Sequence, residues 1–325
     1  MYYGELTEYE EINLESIPRA DVCVECIVYN QKDYVKDMLE GIVRQKTEYT
    51  FFALVIDDAS TDGTSEIIKE YAKKNPGIIK ALIAKDNTFG KKPMCEIWDP
   101  IKLKYACNVD FIATCEGDDC WTDVNKLQVQ IKYMKSHKNC MMYLHNSWWY
   151  DCQSGEKHLA NPFEVSDERD LSVEEIIMLR KKHPATASRM YRKELLNSPD
   201  YVKKCSVGDY NVMLYAALIG KVHYSNKAMC IYRYMSKGST SQLLTNNNNY
   251  MIYHELGVIL FLLNYDKYSN YEYHIFISPM IRCFWNAIAQ FTNTNFITVY
   301  RMLNKNYCLN IGERIVDYLN EKMHL

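Results

Sequence analysis

Residues 111–121 read Phe-Ile-Ala-Thr-Cys-Glu-Gly-Asp-Asp-Cys-Trp. The stretch begins as a short apolar run typical of a buried strand and ends in the carboxylates Glu116, Asp118 and Asp119. Packing does not explain this ending, because burying clustered charges of one sign is unfavourable. Acidic side chains at the carboxyl end of a strand are instead where an open α/β sheet binds a metal or another ligand. We therefore predict a functional site here, with a solvated acidic turn as the alternative.

A second strand-like run also ends in acidic residues. Residues 51–56 are apolar and are followed by Asp57-Asp58-Ala59-Ser60-Thr61-Asp62-Gly63-Thr64 and then by a helical pattern. Parallel strands that lead into helices have their carboxyl ends at one edge of the sheet, so we expect the two acidic junctions to lie side by side. A cation such as Mg²⁺ or Mn²⁺ suits them, since it binds one or two carboxylates together with phosphate oxygens and water.

The remainder of the chain alternates between strand and helix patterns. Strands are predicted over residues 21–29, 51–56, 78–84, 111–113, 140–150, 183–191 and 221–234. Helices are predicted over residues 35–43, 97–107, 126–136, 173–180 and 209–219, with Ser172 and Glu175 as a capping box for the fourth of these. The alternation predicts an α/β fold, a mostly parallel, doubly wound sheet flanked by helices.

The pattern also predicts how the chain is divided. Residues 1–20 are acidic and aperiodic and are predicted to form an N-terminal arm, and residues 21–240 the main domain. Residues 151–168 and 236–249 are polar and are predicted to be loops. Residues 241–325 form a small helical C-terminal module, because from residue 250 onward only helical spacing is found, continuing as far as Ile315 and Leu319.

Composition excludes several classes of protein. The net charge of −3 gives no reason to expect nucleic acid, whose binders carry a basic patch. The start of the sequence lacks the pattern of a secretory signal, so the 12 cysteines are expected to be reduced thiols. Cys23 and Cys26 would face opposite sides of a strand, which argues against a zinc site. We find no apolar run of the roughly 18 residues that a membrane span requires.

Several motifs, taken together, carry a family resemblance. They are Val28-Tyr29-Asn30 after the first strand, residues 55–64 after the second, Glu116-Gly117-Asp118-Asp119-Cys120-Trp121, Gly208-Asp209-Tyr210 and Tyr232-Arg233. In this order they resemble the family 2 glycosyltransferases, enzymes of the GT-A fold that transfer a sugar from a nucleotide-sugar donor. The resemblance covers roughly residues 20 to 240. It implies a GT-A-like sheet for the main domain.

The resemblance also implies roles for individual residues. Asp118 stands at the metal position of the family's Asp-x-Asp motif, with Asp119 as a helper and Glu116 as a donor-side contact, since Glu replaces the first acid. The other implied donor-binding residues are Tyr29, Asn30, Asp57 or Asp58, and Arg233. Tyr29 would stack on the base, and Asp57 or Asp58 would accept hydrogen bonds from the base and the ribose. The sequence does not show which of Asp57 and Asp58 contacts the base. It also leaves open whether Lys91 or Lys92 contacts the diphosphate or is simply a solvated lysine.

Asp209 is the implied catalytic base, because Gly208-Asp209-Tyr210 resembles the family's catalytic segment. A base that removes a proton from the acceptor hydroxyl contributes roughly 10²–10⁴-fold in rate. The alternative for Asp209 is a helix cap. One departure from the family pattern concerns the histidine that often follows the Tyr-Arg pair: Tyr234-Met235 stands there instead. Arg233 is then either a phosphate contact or an ordinary strand arginine.

The resemblance implies an inverting glycosyltransferase of the hexosyltransferase type that requires Mn²⁺ or Mg²⁺. The expected donor is a UDP-sugar, and the expected acceptor is a saccharide or lipid-linked saccharide in bacterial surface polysaccharide synthesis. The expected location is cytoplasmic, with peripheral contact to the inner face of the membrane through the C-terminal helices. The sequence leaves the donor sugar, linkage and oligomeric state open.

Two other functions are weighed against this one. A Mg²⁺-dependent phosphotransferase or phosphohydrolase would need a nucleophilic Asp with an acid two residues on, and Asp57-Asp58-Ala59 does not supply that pattern. A non-catalytic nucleotide-sugar-binding relative would be expected to lack the metal acids or the base, and both are present. Dehydrogenase and P-loop functions lack their glycine-rich motifs.

Overall fold

The computed structural model describes residues 7–292 except 16, 18, 92–93, 165, 180–182 and 204–207. The strands are β1 Tyr9–Ile12, β2 Ala20–Val28, β3 Phe51–Asp57, β4 Ile79–Ala84, β5 Val109–Thr114, β6 Cys120–Trp121, β7 Cys140–Asp151, β8 Lys157–Leu159, β9 Arg169–Leu171, β10 Met190–Arg192 and β11 Lys221–Tyr234. The helices are α1 Val35–Val43, α2 Thr64–Lys74, α3 Met94–Tyr105, α4 Lys126–Ser136, α5 Val173–Ile177, α6 Asp200–Lys203, α7 Gly208–Ile219, α8 Thr240–Asn246, α9 Asn248–Tyr268 and α10 His274–Thr292.

One mixed sheet contains all eleven of these strands. Its main order is β1-β4-β3-β2-β5-β10-β7-β11-β6, with β8 paired to β7 and β9 paired to β11. The four neighbours β4, β3, β2 and β5 are parallel, whereas β1 and β10 flank them in antiparallel orientation. The direction in which the chain moves across the sheet reverses between β2 and β5. Ligands bind at the carboxyl ends of strands beside such a reversal in open α/β sheets.

Each face of the sheet is covered by a helical layer because the strand residues alternate between two apolar faces. One core contains the inward residues of α1, α2 and α4, among them Leu39, Ile68 and Ile131. The other contains residues of α3, α7, α9 and α10. Cys23 belongs to this second core and Cys26 to the first, which confirms that the two thiols point to opposite sides.

The sequence predicted most of these elements. The predicted bounds of α4 and β11 match the structure, and Ser172 and Glu175 form the predicted capping box at the start of α5. Three predictions were wrong: residues 157–159 form a strand and residues 240–246 a helix where loops were expected, and the strand predicted over 183–191 is instead a 3-10 turn at Thr186–Ser188 followed by β10. Ile315 and Leu319 lie outside the described residues.

The first residues described are ordered at the sheet edge, since β1 pairs with β4. At the other end of the chain, α9 and α10 share a core with one face of the sheet. The domain boundaries at residues 20 and 240 stay predictions. Among the described residues, every helix is too short or too polar to cross a membrane.

Candidate active site

The acidic turn, which contains Glu116, Gly117, Asp118 and Asp119, lies at the carboxyl end of β5, beside the end of β2. Cys115 N–H donates to Glu25 O at 3.0 Å and Gly117 N–H donates to Ile27 O at 3.2 Å, so the turn continues along β2. A side chain on Gly117 would meet Gln31 Oε1 at 2.1 Å and a methyl carbon of Val28 at 2.9 Å. Glycine is therefore required for the backbone to pass this close to the β2–α1 junction.

Residues from β11 and the segment after it hold the turn. The Arg233 N–H donates to Asp119 Oδ1 at 3.0 Å, and Arg233 Nη1 donates to the carbonyl oxygen of Asp118 at 2.8 Å. Arg233 Nη2 also lies 2.5 Å from Asp37 Oδ2 on α1. The buried Ser236 hydroxyl donates to Asp118 Oδ2 at 2.5 Å. The guanidinium of Arg233 is thus already engaged in organising the turn, and its contact with donor phosphate stays a prediction.

The three carboxylates of the turn are poorly neutralised by protein. Burial, reinforced by the charges of Asp118 and Glu116, raises the pKa of Asp119 well above its usual range, and burial also raises the pKa of Asp118. Crowding by protein and the charge of Asp118 also raise the pKa of Glu116, although its side chain is exposed to solvent. The cluster is one in which an added positive charge would be stabilising.

Asp57 and Asp58, at the end of β3, differ in their contacts. Asp57 is fully buried; Oδ1 accepts from the backbone N–H and hydroxyl of Ser60, and Oδ2 accepts from the Ser65 hydroxyl. Asp58 Oδ1 accepts from Thr88 N–H at 2.9 Å and from the Thr88 hydroxyl at 2.7 Å. Burial raises the pKa of Asp58. Both oxygens of Asp57 are therefore used in fixing the β3–α2 loop.

Tyr29 and Asn30 follow β2 but do different things. Tyr29 is 43% exposed, so its ring is accessible from solvent. Asn30 has a φ of 51°, a left-handed conformation that asparagine tolerates better than most residues. Its Oδ1 accepts from Thr61 N–H at 2.8 Å, and its N–H donates to the Ser60 hydroxyl at 2.8 Å. In this structure Asn30 links the loop after β2 to the loop after β3.

The fold brings Asp209 toward this cluster from the start of α7. Asp209 Oδ1 accepts from the N–H of Tyr210, the next residue, at 2.9 Å, which is not the bond of a helix cap. Its Oδ2 lies 3.5 Å from the Thr186 hydroxyl. Burial raises the pKa of Asp209, but the positive charges of Arg189 and His183 outweigh burial and the net pKa is lowered. The carbonyl oxygen of Thr186 accepts from Thr114 Oγ1 at 2.5 Å, so Thr186 brings Asp209 close to the turn after β5, and Asp209 contributes to the raised pKa of Glu116.

The residues of the turn fit a divalent cation that is shared with a phosphate-bearing ligand. Asp119 Oδ2 is buried and has no hydrogen-bond partner in the described part of the chain, and Asp118 lies beside it. Within the described residues no three His, Cys, Asp or Glu side chains form a complete cation site. Mg²⁺ is commonly held by one or two carboxylates with substrate phosphates completing the coordination. Asp118 and Asp119 are the residues that could hold such an ion, and the assignment of a metal to Asp118 stays a prediction.

Sequence reasoning missed Ser236, Gln31, Thr186 and Arg189. Ser236 falls in a segment predicted as a polar loop, and its contact with Asp118 depends on how β11 ends. Gln31 contacts the acidic turn, and Thr186 and Arg189 lie in the segment predicted as a plain strand. The composition of these segments carries no signal of a site, because each residue acquires its role through long-range packing.

Comparison with known proteins finds similarity to one family over part of the chain. Residues 23–91 match the family model described as glycosyl transferase family 2, which spans β2 to the loop after β4. The uncharacterised protein Rv1520 of Mycobacterium tuberculosis is 29% identical over 224 residues, which are 69% of this chain and 62% of that protein. TuaG of Bacillus subtilis, described as a candidate teichuronic acid biosynthesis glycosyltransferase, is 26% identical over 33% of this chain and 38% of its own length.

The fold is shared with a solved structure. S. aureus TarS 1–349 in complex with UDP-GlcNAc superposes with a TM-score of 0.59 at 18% identity, over 85% of this chain and 74% of that one. The predicted GT-A-like architecture and the predicted resemblance to the family are confirmed. The chain spans less than two thirds of the length of the mycobacterial relative.

Proposed function

We propose that this chain, a family 2 glycosyltransferase by its matched segment and its GT-A-like fold, is an inverting, metal-dependent enzyme. It moves a hexosyl group from a nucleotide-sugar, UDP-linked in our proposal, to a hydroxyl of a saccharide acceptor. The observation that carries the proposal is that Thr186 contacts both Asp209, through its hydroxyl at 3.5 Å, and Thr114, through its carbonyl oxygen at 2.5 Å. These contacts bring Asp209 close to the acidic turn that follows Thr114, although the two lie far apart in sequence.

The acidic turn forms the donor end of the proposed site. A Mn²⁺ or Mg²⁺ ion held by Asp118, with Asp119 beside it, would supply Lewis-acid stabilisation of the departing diphosphate. Arg233 and Ser236 keep both aspartates in place, and Glu116 faces the donor from the solvent side of the turn. Orienting the acids before the substrate arrives reduces the reorganisation needed in the transition state.

Tyr29 and Asp58 are the residues that we propose for the nucleoside. The exposed ring of Tyr29 offers a stacking face for the base. Asp58 is preferred to Asp57 as the hydrogen-bond acceptor, because the serines of the β3–α2 loop already use both oxygens of Asp57. Asn30 holds together the loops that carry Tyr29 and Asp58. A direct contact of Asn30 with the donor is also part of the proposal.

Asp209 acts as the base at the acceptor end. Its lowered pKa keeps the carboxylate ionised at neutral pH, as an acceptor of the hydroxyl proton must be. The acceptor oxygen attacks the anomeric carbon as the bond to the diphosphate breaks, and the proton passes to Asp209. A single displacement of this kind inverts the anomeric configuration and requires no enzyme nucleophile.

The biological setting is part of the proposal. The description of TuaG as a candidate teichuronic acid enzyme and the UDP-GlcNAc bound to TarS support a UDP-sugar donor and a role in bacterial surface polysaccharide synthesis. The acceptor would be a saccharide or a lipid-linked saccharide. We place the enzyme in the cytoplasm, at the inner face of the membrane.

Calorimetric titration tests the proposal. UDP and GDP are each added to wild type and Asp118→Ala, with Mn²⁺ and with EDTA. We expect one nucleotide to bind only with metal, and this binding to fall at least about tenfold in Asp118→Ala. The variant Asp167→Ala, an exposed carboxylate on the segment before β9, is the matched control. Failure of both nucleotides to bind, or binding indifferent to metal and to Asp118, would contradict the proposal; hydrolysis of phosphate esters would favour the phosphohydrolase alternative.

A further inference from the structure

Arg189 stands on a rigid segment at the start of β10. The preceding 3-10 turn is fixed by Thr114 Oγ1 donating to Thr186 O at 2.5 Å, Trp121 Nε1 donating to Ala187 O at 3.0 Å and Gln130 Nε2 donating to Ser188 O at 2.9 Å. The carbonyl oxygen of Arg189 itself accepts from the Thr114 N–H. The backbone that carries Arg189 is thus held by contacts from β5, β6 and α4.

The guanidinium of Arg189 has no protein partner among the described residues. Its Nε is buried without a hydrogen bond, and no carboxylate oxygen of that part of the chain lies within 4.0 Å of its nitrogens. Other cations nearby are satisfied: Arg233 pairs with Asp37 at 2.5 Å, and Lys102 pairs with Glu25 at 2.7 Å. A buried N–H group of a charged side chain left without an acceptor is costly, so it is expected to have a partner in the working state.

The surroundings of Arg189 locate that partner between the two ends of the candidate site. The carbonyl oxygen of Arg189 accepts from the N–H of Thr114, two residues before Glu116. Thr186, three residues before Arg189, contacts Asp209 Oδ2 at 3.5 Å. The charge of Arg189 accordingly opposes the rise in the pKa of Glu116 and helps to lower the pKa of Asp209. It therefore lies near both carboxylates without forming an ion pair with either. In the proposed reaction, the space between the donor end and the base holds the transferred sugar and the acceptor hydroxyl.

We propose that Arg189 is a specificity residue that binds a carboxylate or phosphate group carried by one of the two sugars that meet in this site, an inference that rests on the proposed function. A guanidinium presents parallel N–H groups that match the two oxygens of such an anion. A sugar hydroxyl would satisfy one of these donors and leave the positive charge without a counter-charge. An anionic substrate group satisfies the charge and the hydrogen bonds together.

The test compares sugars that differ only in an acidic group. In the donor arm, UDP-glucuronate and UDP-glucose are titrated into the protein with Mn²⁺, or GDP-mannuronate and GDP-mannose if GDP is the nucleotide that binds. In the acceptor arm, glucuronate, glucose 6-phosphate and glucose are titrated into the nucleotide-saturated protein. Each titration is repeated with Arg189→Gln, with Arg189→Lys and with Arg44→Gln, an exposed arginine on the helix end after α1.

We expect the acidic sugar to bind about tenfold or more tightly than its neutral counterpart in one arm, which identifies whether donor or acceptor carries the anion. Arg189→Gln should abolish this preference and leave the affinity for the nucleotide alone unchanged, Arg189→Lys should retain part of it, and Arg44→Gln all of it. Equal binding of acidic and neutral sugars in both arms would overturn the inference, as would a preference that survives in Arg189→Gln. If Arg189→Gln lost affinity for the neutral sugar and for the nucleotide to the same extent, the role of Arg189 would be merely structural, and the inference would again be overturned. If neither nucleotide binds, the proposed function fails and the inference falls with it.

Discussion

At the scale of single residues, Asp209 is the side chain on which turnover should depend most. Replacing it with Asn preserves shape and the contact with Thr186 but removes the carboxylate that we propose accepts the hydroxyl proton. We expect Asp209→Asn to lower kcat by about 10²–10⁴-fold and to leave metal-dependent nucleotide binding nearly unchanged. Product formation and calorimetry measure the two effects. A variant that retains wild-type turnover would remove Asp209 from the role of base.

The pH profile gives a second view of the same residue. Arg189 and His183 hold the pKa of Asp209 below its ordinary value despite burial, so the ionised base persists as the pH falls toward that lowered pKa. Arg189→Gln removes one of these charges and should raise the pKa of Asp209. The acid limb of kcat/KM should then move to higher pH relative to wild type. An unshifted limb would show that another group limits the rate in acid.

Residues of the site were predictable where they follow strand ends and unpredictable elsewhere. Glu116, Asp118 and Asp58 stand directly after apolar runs, so their clustering follows from a parallel sheet. Ser236 and Arg189 come from segments whose approach to the acids depends on the pairing of β11 with β6 and of β10 with β5. No local pattern encodes those contacts.

At the scale of elements, a charged pair joins α3 to the sheet. Lys102 Nζ lies 2.7 Å from Glu25 Oε1 on β2, and both side chains are largely buried. Burial lowers the pKa of Lys102, but Glu25 and Asp99 outweigh it and the net pKa is raised, so the lysine stays charged. Lys102→Met leaves Glu25 buried and unpaired and should cost about 3–5 kcal/mol of unfolding free energy.

Urea denaturation measures this loss. The double variant Lys102→Met with Glu25→Leu removes both charges and should recover much of the stability, because the unpaired carboxylate is then gone. Equal instability of the single and double variants would mean that packing around α3, rather than the ion pair, is the cause.

The short helix α5 provides a pH-dependent contact. The Arg169 guanidinium, with the Ser172 N–H of the capping box, lowers the pKa of Glu175 from 4.5 to about 2. A lowered pKa contributes stability that is complete above the unfolded value and is lost as the pH falls through the folded one. Glu175→Ala should therefore destabilise the protein at pH 7 and make little difference near pH 2. Thermal melting from pH 7 to pH 3 should show the two proteins converging.

Helices and strands were predicted correctly where their apolar residues are regularly spaced. The α4 helix and the long strand β11 have clear apolar spacing, and their predicted bounds are correct. The helix α8 was missed because residues 240–246 contain no buried side chain and depend on the Ser239 cap. The strand β8 was missed because all three of its residues are exposed and it exists only by pairing with β7.

At the scale of the whole molecule, the turn between α9 and α10 presents exposed apolar side chains. Ile275 is 74% exposed, and Tyr268 and Tyr271 are 58% and 44% exposed. We predict that this surface contacts lipid, in line with a membrane-linked acceptor. Co-sedimentation with liposomes should be measurable for wild type and reduced in Ile275→Glu, whereas Leu159→Glu on β8 should behave as wild type. Absence of any association would contradict the prediction.

The acidic turn is synthesised well before the strand that holds it. Until β11 and Ser236 leave the ribosome, Asp118 and Asp119 have neither the Arg233 contacts nor the serine hydroxyl that fix them. A nascent chain that ends before residue 230 would contain the parallel strands β4, β3, β2 and β5 and still lack the residues that hold these acids. The proposed activity would therefore arise late in translation, after strands β2 to β5 have had time to fold.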